Sequence, residues 1–173
     1  SGLGEWLASL GVRDCREFGW WDTMQLGAIT VHCVPAQHFS ARGLHDRNRT
    51  RWCGWVIELA GMRIYFAGDS GYAPLFREIR ERLGPMDLSI LPIGAYRPRW
   101  FMRPVHVDPA EAVQVHRDVE SRLSIASHWG TFRLTDEPLD EPPALLRQVL
   151  DREGLPADQF RVLQVGETLR APV

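Results

Sequence analysis

The sequence predicts an α/β fold built on a mixed sheet. Two apolar runs, Trp52–Leu59 and Met62–Ala67, flank Ala60-Gly61, which is the pattern of a hairpin. After that hairpin, helical patterns alternate with short apolar runs, as expected where strands pair in parallel through helical crossovers. No internal repeat or low-complexity linker divides the 173 residues, so one unit is expected, long enough to bury a core.

The elements follow in order. A short helix is expected around Leu3–Leu10, ended by Gly11, and a strand near Thr30–Pro35. Residues Ala36–Thr50 are polar and read as a loop. The hairpin comes next. Pro74–Leu83 reads as a helix: Leu75, Ile79 and Leu83 share a face, Pro74 suits the first turn and Gly84 is a stop. Asp87–Ile93 is a continuous apolar strand. Arg99-Trp-Phe-Met-Arg103, bracketed by Pro98 and Pro104, reads as a loop, too broken for a helix interior. Its apolar residues, rimmed by arginines, suit contact with a substrate or a membrane interface. Asp108-Pro-Ala-Glu111 opens a helix with Asp at the cap and Pro at the first position, and Ala112, Val115 and Val119 lie on one side. Leu123–Ser127 is a strand, Pro142–Glu153 a helix carrying Leu146, Val149 and Leu150 up to Gly154, and Phe160–Val165 a last strand.

Composition narrows the function classes. Hydrophobic residues make up 45% and charged residues 24%, ordinary for a globular protein. A net charge of -2 and the lack of a basic run argue against nucleic acid as a partner. Cys15, Cys33 and Cys53 form no Cys-x-x-Cys and fit free thiols in a reducing compartment. No apolar stretch approaches the roughly 20 residues of a membrane span, and no segment looks like a signal peptide. Ser1-Gly-Leu-Gly-Glu-Trp6 lacks a starting Met and reads as mid-protein sequence. Of the seven tryptophans, Trp52 and Trp55 fit sheet packing.

Three residues stand near the ends of apolar runs. His38 closes Ile29-Thr-Val-His-Cys-Val-Pro-Ala-Gln-His38, Asp69 ends Arg63-Ile-Tyr-Phe-Ala-Gly-Asp69, and His128 closes Leu123-Ser-Ile-Ala-Ser-His128. In an α/β sheet, ligands bind beyond the carboxyl ends of strands. Imidazole and carboxylate together suit zinc, iron or manganese. Taken singly, each also has a plain structural reading, as a satisfied strand-end histidine or a turn aspartate. His106, in Pro104-Val-His-Val-Asp108, precedes a helix N-terminus, where it would either face an anionic group or bond the backbone as a loop residue. His32, His45 and His116 read as structural or solvated. Gly68-Asp-Ser-Gly71 with Thr30-Val-His-Cys33 has the look of a serine protease, and Asp69-Ser-Gly71 that of an aspartic protease. Neither fits an alternating α/β pattern with so little chain between His32 and Ser70.

Several motifs together resemble the metallo-β-lactamase superfamily. They are Pro35-Ala-Gln-His38, Asp46-Arg-Asn-Arg-Thr50, Phe66-Ala-Gly-Asp69-Ser-Gly-Tyr72, Pro92-Ile-Gly-Ala-Tyr-Arg-Pro-Arg-Trp-Phe-Met102, His106-Val-Asp-Pro109 and His128-Trp-Gly-Thr-Phe132. More narrowly, they resemble its N-acylphosphatidylethanolamine-hydrolysing phospholipase D branch and bacterial relatives, from about Leu3 to Leu169. The resemblance implies part of a four-layer αβ/βα sandwich with a two-zinc site between its sheets. It implies that His38 binds one zinc, Asp69 bridges both, His128 binds the other, and His106 lies near the reacting phosphodiester. It makes Asp69 and His106 the catalytic residues, and Tyr96, Trp100, Phe101 and Met102 the substrate contacts.

The sequence departs from the family in one respect. The His-x-His-x-Asp-His motif that supplies the remaining ligands is absent, so residues 1–173 resemble the C-terminal half of such an enzyme, with a partial zinc site. The isolated chain is expected to be inactive or to bind metal weakly, having fewer than the three protein ligands of a catalytic zinc. Half a sandwich exposes one face of a sheet, so the expected partners are the N-terminal half or a second copy, besides a phospholipid or small-molecule substrate. A lactone or another phosphoester as substrate, and a metal-free binding or assembly module, are the alternatives. The expected location is the bacterial cytoplasm, with peripheral contact to the membrane.

Overall fold

The computed structural model describes residues 2–41, 43 and 45–170. Seven strands form one sheet in sequence order: β1 (Thr23–Leu26), β2 (Ile29–Val34), β3 (Gly54–Leu59), β4 (Met62–Phe66), β5 (Leu88–Pro92), β6 (Leu123–Ser127) and β7 (Phe160–Arg161). The helices are α1 (Gly4–Ser9), α2 (Leu75–Leu83), α3 (Arg99–Met102), α4 (Pro109–Asp118) and α5 (Glu141–Glu153). β1 to β4 pair antiparallel as a meander, and β4 to β7 pair in parallel. The mixed α/β sheet is the one the sequence predicts, including the hairpin, where Leu59 pairs with Met62 across Ala60-Gly61.

Alternation along the strands separates two faces. Val34, Val56, Tyr65, Leu91 and Ala126 lie on one face. There they join a single core with Phe76 and Ile79 of α2, Ala112, Val113 and Val115 of α4, and Leu146, Val149 and Leu150 of α5. The register Trp55–Phe66 and Phe66–Ile90, continued by Ile90–Ile125, defines the other face. That face is only partly covered, and Phe66 is 42% exposed.

Two local expectations are corrected, and one strand is added. Arg99–Met102 is a helical turn, not a loop. The prolines bracket it: the Pro98 carbonyl accepts the first turn's bond from Met102 N–H at 2.9 Å, and Pro104 follows the end. Arg99 anchors it, with Nη2 2.6 Å from Glu111 Oε2 and Nη1 donating to the His106 carbonyl at 2.9 Å. The strand β1 was not anticipated. It pairs with β2 through a two-residue turn, with Gly27 at φ 61. The last strand spans Phe160–Arg161 rather than Phe160–Val165. Beyond it Gln164 turns onto Glu167, whose N–H reaches the Gln164 carbonyl and whose carboxylate accepts from Gln164 N–H, both at 2.9 Å, and this local bonding replaces the ladder. The predicted loop Ala36–Thr50 has no helix or strand among its described residues. Arg42 and Leu44 lie outside the described residues, as does Ser1.

Candidate metal centre

Topology brings the candidate residues together. β2 is antiparallel to β3 and β3 to β4, so β2 runs with β4, and β5 and β6 are parallel to β4. The C-terminal ends of β2, β4, β5 and β6 therefore share one edge of the sheet. His38 lies just beyond β2, Asp69 beyond β4, His106 in the connection after β5, and His128 at the end of β6.

His38, Asp69 and His106 each offer one donor atom, and these lie within 4.8 Å of one another. His38 Nε2 is 3.4 Å from His106 Nε2. His128 Nε2 is 3.4 Å from Asp69 Oδ2, and its ring stacks on that of His106 with centroids 5.2 Å apart. Four residues thus form one cluster. The mutually close trio contains His106, where the sequence reading put His128 among the ligands and His106 beside the substrate.

The local chemistry suits a cation. His38 Nδ1 is 2.8 Å from the Phe39 carbonyl, an acceptor that calls for the proton on Nδ1 and so leaves the Nε2 lone pair facing the cluster. The hydrogen bond to His128 holds the Asp69 carboxyl below its ordinary range against the cost of burial, so it is an anion. The same contact raises His128. Burial pushes His106 down to about 4, keeping its imidazole neutral, the form that ligates metals. His106 Nδ1 is buried with no hydrogen-bond partner. A neutral His106, an ionised Asp69 carboxylate and an orphaned buried nitrogen fit a divalent metal of the zinc, iron or manganese type.

The remaining named residues have other surroundings. Trp100 and Phe101 are 83% and 63% exposed, and the connection from Met102 to His106 is short, with His106 N–H bonded to the Met102 carbonyl at 2.8 Å. Tyr96 is buried and its hydroxyl lies 2.6 Å from Glu141 Oε1, so it faces the scaffold. His32 bonds Thr23 at 2.9 Å, His116 bonds Ser124 at 2.8 Å, and His45 is exposed. The Ser70 hydroxyl is buried and donates to the Gly71 carbonyl at 2.9 Å, a backbone role rather than that of a nucleophile.

The sequence reading missed the residues that hold the cluster. Glu137 is buried and accepts from the Tyr96 and Arg97 N–H groups and from Thr135 Oγ1, fixing the segment after β5. Trp52 Nε1 donates to the Ala36 carbonyl at 2.9 Å, tying down the approach to His38. Gly94 lies against the His128 carbonyl, where an added Cβ would meet that oxygen at 2.2 Å. Only Gly94 carried a sequence signal, as a glycine just after an apolar strand.

Comparison with known proteins agrees with this geometry. Residues 3–129 match the beta-lactamase superfamily domain. The chain is 40% identical over 98% of its length to an N-acyl-phosphatidylethanolamine-hydrolyzing phospholipase D from Caenorhabditis elegans, covering 51% of that protein. It is 34% identical over 96% of its length to the mitochondrial protein of that name from Saccharomyces cerevisiae, covering 37% of it. The chain therefore spans about half, or less, of these relatives. A metallo hydrolase from Ignicoccus hospitalis shares the fold, with a TM-score of 0.71 over 95% of this chain and 64% of that one, at 21% identity. The matched domain covers most of the sheet and all four clustered residues, and the chain belongs to the metallo-β-lactamase superfamily.

Proposed function

We propose that this chain carries the C-terminal share of the active site of a metal-dependent hydrolase, one that cleaves a phosphodiester of the N-acylphosphatidylethanolamine type. The observation that carries the reading is the convergence of His38, Asp69, His106 and His128 at one sheet edge. The likeness to the Caenorhabditis elegans phospholipase D supports the substrate class.

His38, Asp69 and His128 would hold zinc, with Asp69 between two ions in a complete site. His106 would contact the scissile group or complete the trio it forms with His38 and Asp69. Bound zinc supplies Lewis-acid polarisation of a phosphoryl oxygen and an acidified water. In the net reaction water adds to phosphorus, the bond from phosphorus to the ethanolamine oxygen breaks, and the water's proton ends on the departing alcohol. The chain's own groups set the stage for this. Asp69 brings negative charge, neutral His106 offers a nitrogen to a ligand or a phosphate, and the exposed Trp100 and Phe101, with Met102, offer apolar contact to acyl chains at a membrane surface. Tyr96, bonded to Glu141, holds the segment leading to them.

The test has two arms. Zinc uptake by the chain is measured by equilibrium dialysis beside that of Asp69→Asn, with Asp69-dependent binding expected. Hydrolysis is then followed on N-acylphosphatidylethanolamine, a lactone and a simple phosphodiester. It is measured for the metal-loaded chain and for a fusion to the N-terminal half of the Caenorhabditis elegans relative. Lack of Asp69-dependent zinc binding overturns the metal reading, and preference for the lactone or the simple ester reassigns the substrate. A second reading, a metal-free binding or assembly module, draws on the half-covered apolar face around Phe66. A well-folded, metal-free dimer in size-exclusion chromatography would favour it.

A further inference from the structure

Three donor-bearing loops are tied together around Gln37 and the buried Ser70. The Ser70 side chain accepts from the Gln37 backbone N–H at 2.9 Å, and the Gln37 carbonyl accepts from Gly71 N–H at 2.8 Å. The Gln37 side chain donates through Nε2 to the Pro104 carbonyl at 2.8 Å. The Ser70 carbonyl accepts from Val107 N–H at 2.9 Å. Each residue in this network lies one or two positions from a member of the cluster in sequence. Gln37 precedes His38, Ser70 follows Asp69, and Pro104 and Val107 flank His106.

Close packing reinforces these bonds. Ser70 is 1% exposed. A Cβ on Gly71 would stand 2.5 Å from the Pro104 carbonyl oxygen, so the two backbones touch where only glycine fits. The network closes a loop among three chain segments far apart in sequence, without the help of a metal.

We infer that Gln37 and Ser70 are positioning residues that hold His38, Asp69 and His106 in ligating register before any metal arrives. The inference builds on the reading of the cluster as a metal site, but its geometric half stands apart from it. Pre-organised donors bind an ion without first ordering three loops, and that ordering would otherwise be subtracted from affinity. Gln37 is the better probe, because it is only partly buried and its side chain makes a single bond across the gap.

The experiment compares the wild-type chain with Gln37→Met, which keeps length but donates nothing, and with Ser70→Ala. Proton NMR of the metal-free chain reports the nuclear Overhauser contact between the His38 and His106 rings, whose centroids are 5.0 Å apart. Titration with cobalt(II), read by its visible absorption, reports metal affinity. Expected are loss of the ring contact in Gln37→Met and about a fivefold weaker cobalt affinity, the worth of one neutral hydrogen bond. Ser70→Ala should act in the same direction. Should wild type bind no cobalt while Gln37→Met still loses the ring contact, the positioning role stands and the metal reading falls. An unchanged ring contact in Gln37→Met overturns the inference whatever the affinity does.

Discussion

Gly94→Ala is the substitution most informative about how the fold delivers His128. A Cβ at Gly94 would lie 2.2 Å from the His128 carbonyl oxygen, 3.3 Å from its carbonyl carbon and 3.4 Å from Trp129 Cα. Real Cβ contacts essentially never fall under 3.0 Å, so the two backbones must part by roughly 0.8 Å. Neither side gives easily. The neighbouring Ile93 N–H bonds the Ser127 carbonyl at 3.0 Å, and His128 itself sits at φ 57, a conformation uncommon for any residue but glycine. Overpacking of this kind costs about 1–3 kcal/mol, which lowers the melting temperature of a chain this size by roughly 2–12 °C. A displacement of that size would also open the 3.4 Å contact between His128 and Asp69. Urea unfolding and a thermal melt measure the first effect, and zinc dialysis the second. An alanine variant within about 0.5 kcal/mol of wild type, with undiminished zinc binding, would refute the argument that Gly94 is there for close approach.

Asp108→Ala removes the cap of α4, whose Oδ1 accepts from Glu111 N–H at 2.9 Å, and should cost about 1 kcal/mol in urea unfolding. Leu91→Ala empties a fully buried position between sheet and helices and should cost about 2–5 kcal/mol, read as a drop in the unfolding midpoint. His116 carries a pH signature. Burial lowers its folded-state pKa from 6.5 to about 4, so between those values the unfolded chain binds the extra proton. Its contribution is therefore complete above about pH 6.5 and is lost as pH falls toward 4, by up to about 3 kcal/mol. His106, depressed by burial in the same window, adds to the wild-type slope, so the readout is the difference between wild type and His116→Gln, whose pH dependence should be shallower. Equal slopes would contradict it.

The fold was legible because its signals are local. Ala60-Gly61 between apolar runs announced the hairpin, and Asp108-Pro-Ala-Glu111 announced α4 with its cap, which the structure shows accepting from Glu111. Leu123–Ser127 coincides with β6 because a buried parallel strand is a bare apolar run between turns. The departures occur where tertiary contacts decide. Arg99–Met102 is helical because Arg99 finds Glu111 and the His106 carbonyl, neither of which is visible from the prolines around it. β1 owes its place to pairing with β2 rather than to its own mostly exposed side chains.

The site divides along the same line. Residue type and strand-end position sufficed to nominate His38, Asp69 and His128, since an edge shared by parallel strands gathers whatever follows them. Position alone could not order the members. That His106 stands within 4.8 Å of the His38 and Asp69 donors depends on the path from β5 through α3, which is set by Arg99 and by the Gln37 bond to Pro104. Gln37 and Ser70 gave no signal of this role, because a glutamine and a serine in loops look the same whether they face water or lock three loops together. A metal site assembled from one edge of a sheet therefore has two sequence layers. The donors announce themselves by chemistry. The residues that aim them emerge only once the loops are folded against each other, and in this chain two of them, Gln37 and Ser70, lie next to the donors they hold.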